Sequence, residues 1–155
     1  MPGRAHLLFA RVVVKSMNPT VELFLQWFEN GKATGVPVET VQAVFNPHLQ
    51  VVDLENWKIR YGDRNECGVG VVPLPSNRSL ITLISMAAPC ADARFWTSLF
   101  TILNLGNCVL FGSNRTVVMA DLKTASHLPW DLAKSGVEVR QISGGAEIRH
   151  AIGLG

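Results

Sequence analysis

The first chemistry that the sequence could supply is that of a reactive cysteine. Cys90 lies just before the predicted start of a long helix, where the helix dipole would lower the pKa of a thiol. His48 or His127 could act as the base that such a nucleophile needs. Unpaired cysteines are more often small buried apolar residues, and no nucleophile signature surrounds Cys90. We therefore expect Cys67, Cys90 and Cys108 to be free, ordinary thiols.

A second chemistry would be acid–base catalysis by paired carboxylates. Acidic residues cluster between positions 53 and 66, and basic residues interleave with them. Acid–base work needs two carboxyls whose environments hold their pKa values apart. Alternating charges are more typical of a solvated hairpin, so catalysis by this cluster stays the alternative interpretation. The acidic residues are Asp53, Glu55, Asp63 and Glu66, and the basic ones are Lys58, Arg60 and Arg64.

The sequence contains no recognisable metal-binding or phosphate-binding motif. The histidines, at positions 6, 48, 127 and 150, are scattered. The nearest candidate pair of ligands, His127 and Asp131, is interrupted by Pro129. Ser143-Gly144-Gly145 could cradle an anion, but no lysine follows it as in a phosphate-binding loop. We expect neither a metal nor a cofactor.

Charge and hydropathy argue against several classes of protein. The 155 residues carry 14 Lys and Arg against 12 Asp and Glu, a formal charge of +2 that is too even to indicate nucleic acid binding. Charged residues make up 17% of the chain and hydrophobic residues 48%, which is typical of a folded domain rather than a disordered one. No apolar run approaches the ~18 residues of a membrane span. We expect one globular domain over residues 1–155.

The expected compartment is the cytoplasm. Arg11 interrupts the apolar run His6–Ala10 before it reaches the length of a signal peptide. An odd, widely spaced set of three cysteines is typical of reduced cytosolic thiols.

Hydrophobic periodicity predicts several helices and a central run of strands. Asp92 is placed to cap the longest helix. The predicted helices are about Asn18–Asn30, Val38–Phe45, Ala93–Leu105 and Asp121–Ser135, with a last helical turn from Ser143. The predicted strands are Leu7–Lys15, Leu49–Asp53, Trp57–Tyr61, Gly68–Val72, Ser79–Met86, Cys108–Phe111, Thr116–Ala120 and Val137–Ile142.

The order of these elements predicts the fold class. Strands in a central run with helices on both sides favour an α+β fold, with α/β as the alternative. We expect a single mixed, mainly antiparallel sheet with packed helices. The predicted core residues are Phe24, Phe28, Leu83, Leu99, Phe100 and Leu103.

One strand and its following loop have the composition of a protein-binding surface. Apolar and basic residues alternate strictly from Trp57 to Tyr61, which places Lys58 and Arg60 towards water. Aromatic residues and arginine are the usual anchors of protein interfaces. The predicted partner-binding residues are Trp57, Lys58, Arg60, Tyr61, Asp63, Arg64 and Glu66. Trp130 could be a second anchor, but we expect it to be buried between a helix and the sheet.

Residues 92–150 contain a distinctive succession of elements. An aromatic helix, Phe95–Asn104, leads into an apolar hairpin, and the segment Leu128–Leu132 follows. A last strand ends at Ser143-Gly144-Gly145. This layout resembles that of bacterial immunity proteins, the small proteins encoded beside toxins in contact-dependent growth inhibition and related polymorphic toxin systems.

The resemblance implies a non-catalytic protein that binds and blocks the toxin domain of its own system. Inhibitors of nuclease toxins are often acidic, because the active site that they cover is basic. This chain is slightly basic, so the toxin is expected to belong to another class, or the interface to depend on shape and aromatic side chains. The oligomeric state is left open. The alternative function is a small cytosolic enzyme that uses Cys90 or the carboxylates of residues 53–66.

Overall fold

The computed structural model describes residues 22–112 and 114–154. The predicted strand Leu7–Lys15 lies outside these residues. The strands are β1 Leu23–Glu29, β2 Lys32–Thr34, β3 Val36–Pro37, β4 Leu49–Val51, β5 Asn56–Arg60, β6 Glu66–Leu74, β7 Asn77–Met86, β8 Cys108–Phe111, β9 Thr116–Met119 and β10 Glu138–Gln141. The helices are α1 Val38–Phe45, α2 Ala93–Leu103, α3 Trp130–Ala133 and α4 Gly145–Ala151, with a 3-10 helix over Leu122–His127.

The strands form one sheet in the order β10-β9-β8-β1-β7-β6-β5-β4, with β2 paired to β1 and β3 paired to β7. Strand β10 runs parallel to β9, and the other described pairs are antiparallel. The predicted α+β class with a mixed, mainly antiparallel sheet is therefore confirmed.

The predicted helix Asn18–Asn30 is wrong wherever the structure describes it, because Leu23–Glu29 is strand β1. This strand lies between β7 and β8, and its residues from Leu23 to Phe28 are buried on both faces of the sheet. An apolar run that is buried on both faces also satisfies helical spacing, so periodicity alone could not separate the two. Asn30 and Gly31, with φ of 51° and 80°, form the turn of the β1–β2 hairpin instead of a helix cap.

Helices α1, α2 and α4 pack on the inner face of the sheet. Helix α2 begins after Asp92, as predicted, because the Asp92 carboxylate accepts a hydrogen bond of 2.8 Å from the Arg94 N–H. Its buried residues meet α1, α4 and the inward side chains of the strands in one large core. Leu99 and Leu103 are fully buried as predicted, but Phe100 is half-buried because it lies on the border of the helix's buried face.

The 3-10 helix and α3 cover part of the outer face. Leu128 and Leu132 pack over Phe24, Phe28 and Phe111 in a second core. The predicted helical region after Asp121 is confirmed in position, although most of it is a 3-10 helix rather than an α-helix.

The expectation that Trp130 is buried is wrong. Trp130 begins the short helix α3 and its side chain is 65% exposed. The ammonium of Lys134 lies 4.1 Å from the centre of its ring, so the two side chains stack on the surface.

The prediction of three free cysteines is also wrong. Cys67 and Cys90 form a disulfide whose Cα atoms are 5.3 Å apart, and Cys108 is free and buried. Cys67 points into the core from β6, and the segment after β7 carries Cys90 back to it before α2 begins. The contact comes from this hairpin geometry, which the spacing of the cysteines in sequence does not reveal.

Within residues 22–112 and 114–154, no helix combines the length and apolar character needed to cross a membrane.

Candidate protein-binding surface

Strand β5 has the predicted alternation, which divides the predicted partner-binding residues in two. Trp57 and Ile59 are buried in the inner core, whereas Lys58 and Arg60 point outwards. Tyr61 is also buried, with 7% of its surface exposed. Trp57 and Tyr61 are therefore corrected from partner-binding to core residues, since the same alternation that exposes the basic side chains turns the aromatic ones inwards.

The charged members of the predicted surface remain exposed beside one another. Lys58 Nζ lies 3.6 Å from the Glu66 carboxylate, and the Arg60 guanidinium lies 3.6 Å from that of Asp63. Arg64 follows in the same loop, and it makes no ion pair with the part of the chain that the structure describes. Exposed pairs of this kind add little stability and can exchange partners at low cost.

Arg60 is held in place by its backbone. Its N–H donates to the carbonyl of His48 at 3.0 Å, and its own carbonyl lies 3.2 Å from His48 Nδ1. Behind it, the His48 ring packs 4.5 Å from the Tyr61 ring, and the Arg94 guanidinium covers that ring at 5.0 Å. Burial raises the pKa of the Tyr61 hydroxyl. The Arg60 backbone is thus tied to His48, which stacks with Tyr61 and Arg94 in a cluster that sequence spacing did not reveal.

A glycine-floored trough lies beside these charges. It has a volume of about 440 Å³ and is lined on the outer face by Val52, Asn56, Lys58, Gly68, Gly70 and Ser85. A Cβ added to Gly68 would meet no atom within 4 Å, whereas one added to Gly70 would lie 2.6 Å from Ser85 Oγ. The missing side chains of two outward-facing glycines therefore make the concavity.

One exposed valine lines the trough, and another lies beyond it on the same face. Val52 is 54% exposed, and Val72, on the same face two residues beyond Gly70, is also exposed. The 3-10 helix and α3 cover the outward residues of β1, β8 and β9, but the outward residues of β5 and β6 remain accessible. We call this accessible region, Val52 with the outward residues of β5, β6 and the loop Gly62–Asn65, the open face. Sequence reasoning found its charges and missed its glycines and valines, although the alternation Gly68-Val69-Gly70 carried the signal.

Cys90 and each carboxylate considered for catalysis have another partner among the described residues. Cys90 is bonded to Cys67, which removes the proposed nucleophile. Glu55 pairs with Arg78 at 3.8 Å, and Asp63 and Glu66 pair with the bases already described. Hydrogen bonds from the Glu55 N–H and the Asn56 side chain lower the pKa of Asp53, the opposite of what a general acid needs. In the described residues, no group of three or more His, Cys, Asp or Glu side chains could hold a metal ion.

No family model, curated protein or solved structure matches the chain.

Proposed function

We propose that this protein is an immunity protein, which binds a toxin domain encoded beside it and blocks that domain through the open face. The observation that carries the proposal is the combination on this face of accessible valines, a concavity and mixed exposed charges. Apolar patches that stay accessible on a folded domain commonly mark protein-binding sites. Charges of both signs set the register of a partner and reject wrong partners.

The face also indicates the chemistry of the partner. Its cations, Lys58, Arg60 and Arg64, outnumber its anions, Asp63 and Glu66. Arg60 can exchange its exposed contacts with Asp63 and the Gly62 carbonyl for a partner carboxylate bound in two-point geometry. The complementary surface should therefore be acidic around a protruding apolar side chain that enters the trough, over a standard interface of about 1,200–2,000 Å².

Under this proposal the protein acts in the cytoplasm, where it binds the toxin domain after that domain has entered the cell. Disulfides are rare in that reducing compartment. The Cys67–Cys90 bond lies on the inner side of the sheet, away from the outward residues of β5 and β6. We therefore expect the open face to bind the toxin whether Cys67 and Cys90 are reduced or disulfide-bonded.

Co-expression tests the proposal. The toxin domain from the neighbouring reading frame is expressed with wild type, with Arg60→Ala or with Arg64→Ala, and growth and co-purification are recorded. Arg140→Ala is the matched control, because Arg140 lies at the opposite edge of the sheet. We expect wild type and Arg140→Ala to protect and the other two variants to protect less. Failure of the wild type to protect or to co-purify would overturn the immunity function.

A further inference from the structure

The sheet ends in two strands that differ in how they are protected from further pairing. Among the described residues, β4 has β5 as its sole neighbour and β10 has β9. Natural proteins place charged side chains on such edges to prevent association. Strand β10 carries Glu138 and Arg140, whose side chains form an ion pair at 3.1 Å. Strand β4 carries no charged side chain, and Val51 is 49% exposed.

Within the part of the chain that the structure describes, the unpaired backbone groups of β4 belong to Leu49 and Val51. The Arg60 N–H donates to the His48 carbonyl, and the Val52 N–H donates to the Asn56 carbonyl, both at 3.0 Å. Backbone groups alternate in direction along an antiparallel strand, so Gln50 also faces β5. Leu49 and Val51 therefore turn their N–H and C=O groups to the open edge.

This edge is complementary to itself. We infer that two copies of the chain associate through antiparallel pairing of their β4 strands, a property that goes beyond the proposed function. With Leu49 of one copy opposite Val51 of the other, every outward N–H and C=O of these residues is paired, giving four hydrogen bonds about a two-fold axis. Gln50 then lies opposite Gln50 of the second copy, with no charge at the axis. The exposed Val51 side chain packs beside Leu49.

The same operation at the other edge is unfavourable. The Glu138 N–H donates to Arg115 and the Ile142 N–H donates to Met119, so Val139 and Gln141 face outwards from β10. Pairing these two across a two-fold axis places Arg140 directly opposite Arg140 of the second copy. Like charges in directly opposed positions destabilise a sheet. In the register that pairs both outward residues of each edge, the comparison therefore favours β4 as the site of association.

Disulfide trapping tests the register. Gln50 would form a non-hydrogen-bonded pair, with Cα atoms about 4.5 Å apart, which a disulfide can bridge. We expect purified Gln50→Cys protein to form a covalent dimer under mild oxidation. Lys58→Cys is the control, because Lys58 lies opposite Gln50 on β5, and its copies would be about three strand spacings, or ~14 Å, apart. The expected rate for Gln50→Cys is at least about tenfold higher, since ~14 Å exceeds the reach of a disulfide. Equal rates would overturn the register.

Proline substitutions test the association without an added thiol. Val51→Pro removes an N–H that faces outwards and so costs no hydrogen bond within the sheet of one copy. Val139→Pro makes the same change at the β10 edge and is the matched control. In sedimentation velocity at rising concentration, wild type and Val139→Pro should associate, whereas Val51→Pro should remain monomeric. A wild type that stays monomeric, or a Val51→Pro protein that associates like wild type, would overturn the inference.

Discussion

Lys58 lies opposite Gly68 in the β5–β6 pair, yet its ammonium extends diagonally to Glu66, 3.6 Å away. A diagonal contact of this kind is within reach of a long side chain on neighbouring strands. The result is that the surface above Gly68 stays empty while a charge pair stands beside it. This arrangement makes the open face concave and polar at once, and it supports the proposal that a partner binds there.

The buried helix α2 provides a matched pair of core substitutions. Leu99 is fully buried and Phe100, the next residue, is half-buried. We expect Leu99→Ala to lower the free energy of unfolding by about 2–5 kcal/mol. Phe100→Ala should lower it by less than Leu99→Ala does, although it removes a larger side chain. Urea denaturation measures both. A larger loss for Phe100→Ala would mean that the buried face of α2 is misassigned.

The contact between α2 and α4 depends on one glycine. A Cβ at Gly145 would lie 2.6 Å from the backbone carbonyl carbon and oxygen of Trp96, whereas one at Gly144 would meet no atom within 4 Å. Gly145→Ala should therefore destabilise the protein by about 1–3 kcal/mol by forcing α4 away. Gly144→Ala, the control, changes the N-cap of α4 without a clash and should cost less than Gly145→Ala. Thermal melts that rank the two variants equally would contradict this packing.

The disulfide should contribute measurably to stability. Cys67 and Cys90 are separated by 23 positions in sequence, and closing a loop of this size stabilises a protein by about 2–4 kcal/mol. In urea denaturation, the free energy of unfolding of the double variant Cys67→Ala/Cys90→Ala should be lower than that of wild type by this amount. A reductant should lower the free energy of unfolding of wild type but not that of the variant. Unfolded, unreduced wild type should show one reactive thiol, Cys108. Three reactive thiols would contradict the bond.

The cap of α2 should titrate at low pH. Hydrogen bonds from the Arg94 guanidinium and N–H hold the pKa of the Asp92 carboxyl at about 2, below its ordinary value of 3.8. A lowered pKa means that Asp92 stabilises the fold above pH ~4 and that this contribution is lost as the pH falls through about 2. NMR titration should give a midpoint near the lower value, and Arg94→Ala should raise it. A wild-type midpoint near 3.8 would contradict the cap.

The sequence was informative where one local rule decided the outcome. Strict alternation from Trp57 to Tyr61 predicted both the strand and the outward direction of Lys58 and Arg60. Asp92, a residue type that favours the N-cap position, predicted the start of α2. In both cases the determining contacts lie within a few residues of each other, so no knowledge of the tertiary fold was needed.

The predictions from sequence were wrong where contacts between distant parts of the chain determine the structure. The run Leu23–Phe28 is a strand because neighbours on both sides bury it, and only the Asn30-Gly31 turn signalled a hairpin. Cys67 and Cys90 meet through the β6–β7 hairpin. The trough depends on Gly68 lying opposite Lys58, a pairing that spacing within either strand does not give.

The most direct test of the central claim fills the trough. Gly68→Phe adds a side chain where a Cβ meets nothing within 4 Å, so the fold should tolerate it. Titration calorimetry against the purified toxin domain would compare it with wild type, with Arg60→Ala and with the control Arg140→Ala. We expect Arg60→Ala to weaken binding by about 2 kcal/mol, or roughly 30-fold, and Gly68→Phe to weaken it at least as much. Unchanged affinity for both, in variants as stable as wild type, would contradict the assignment of the open face.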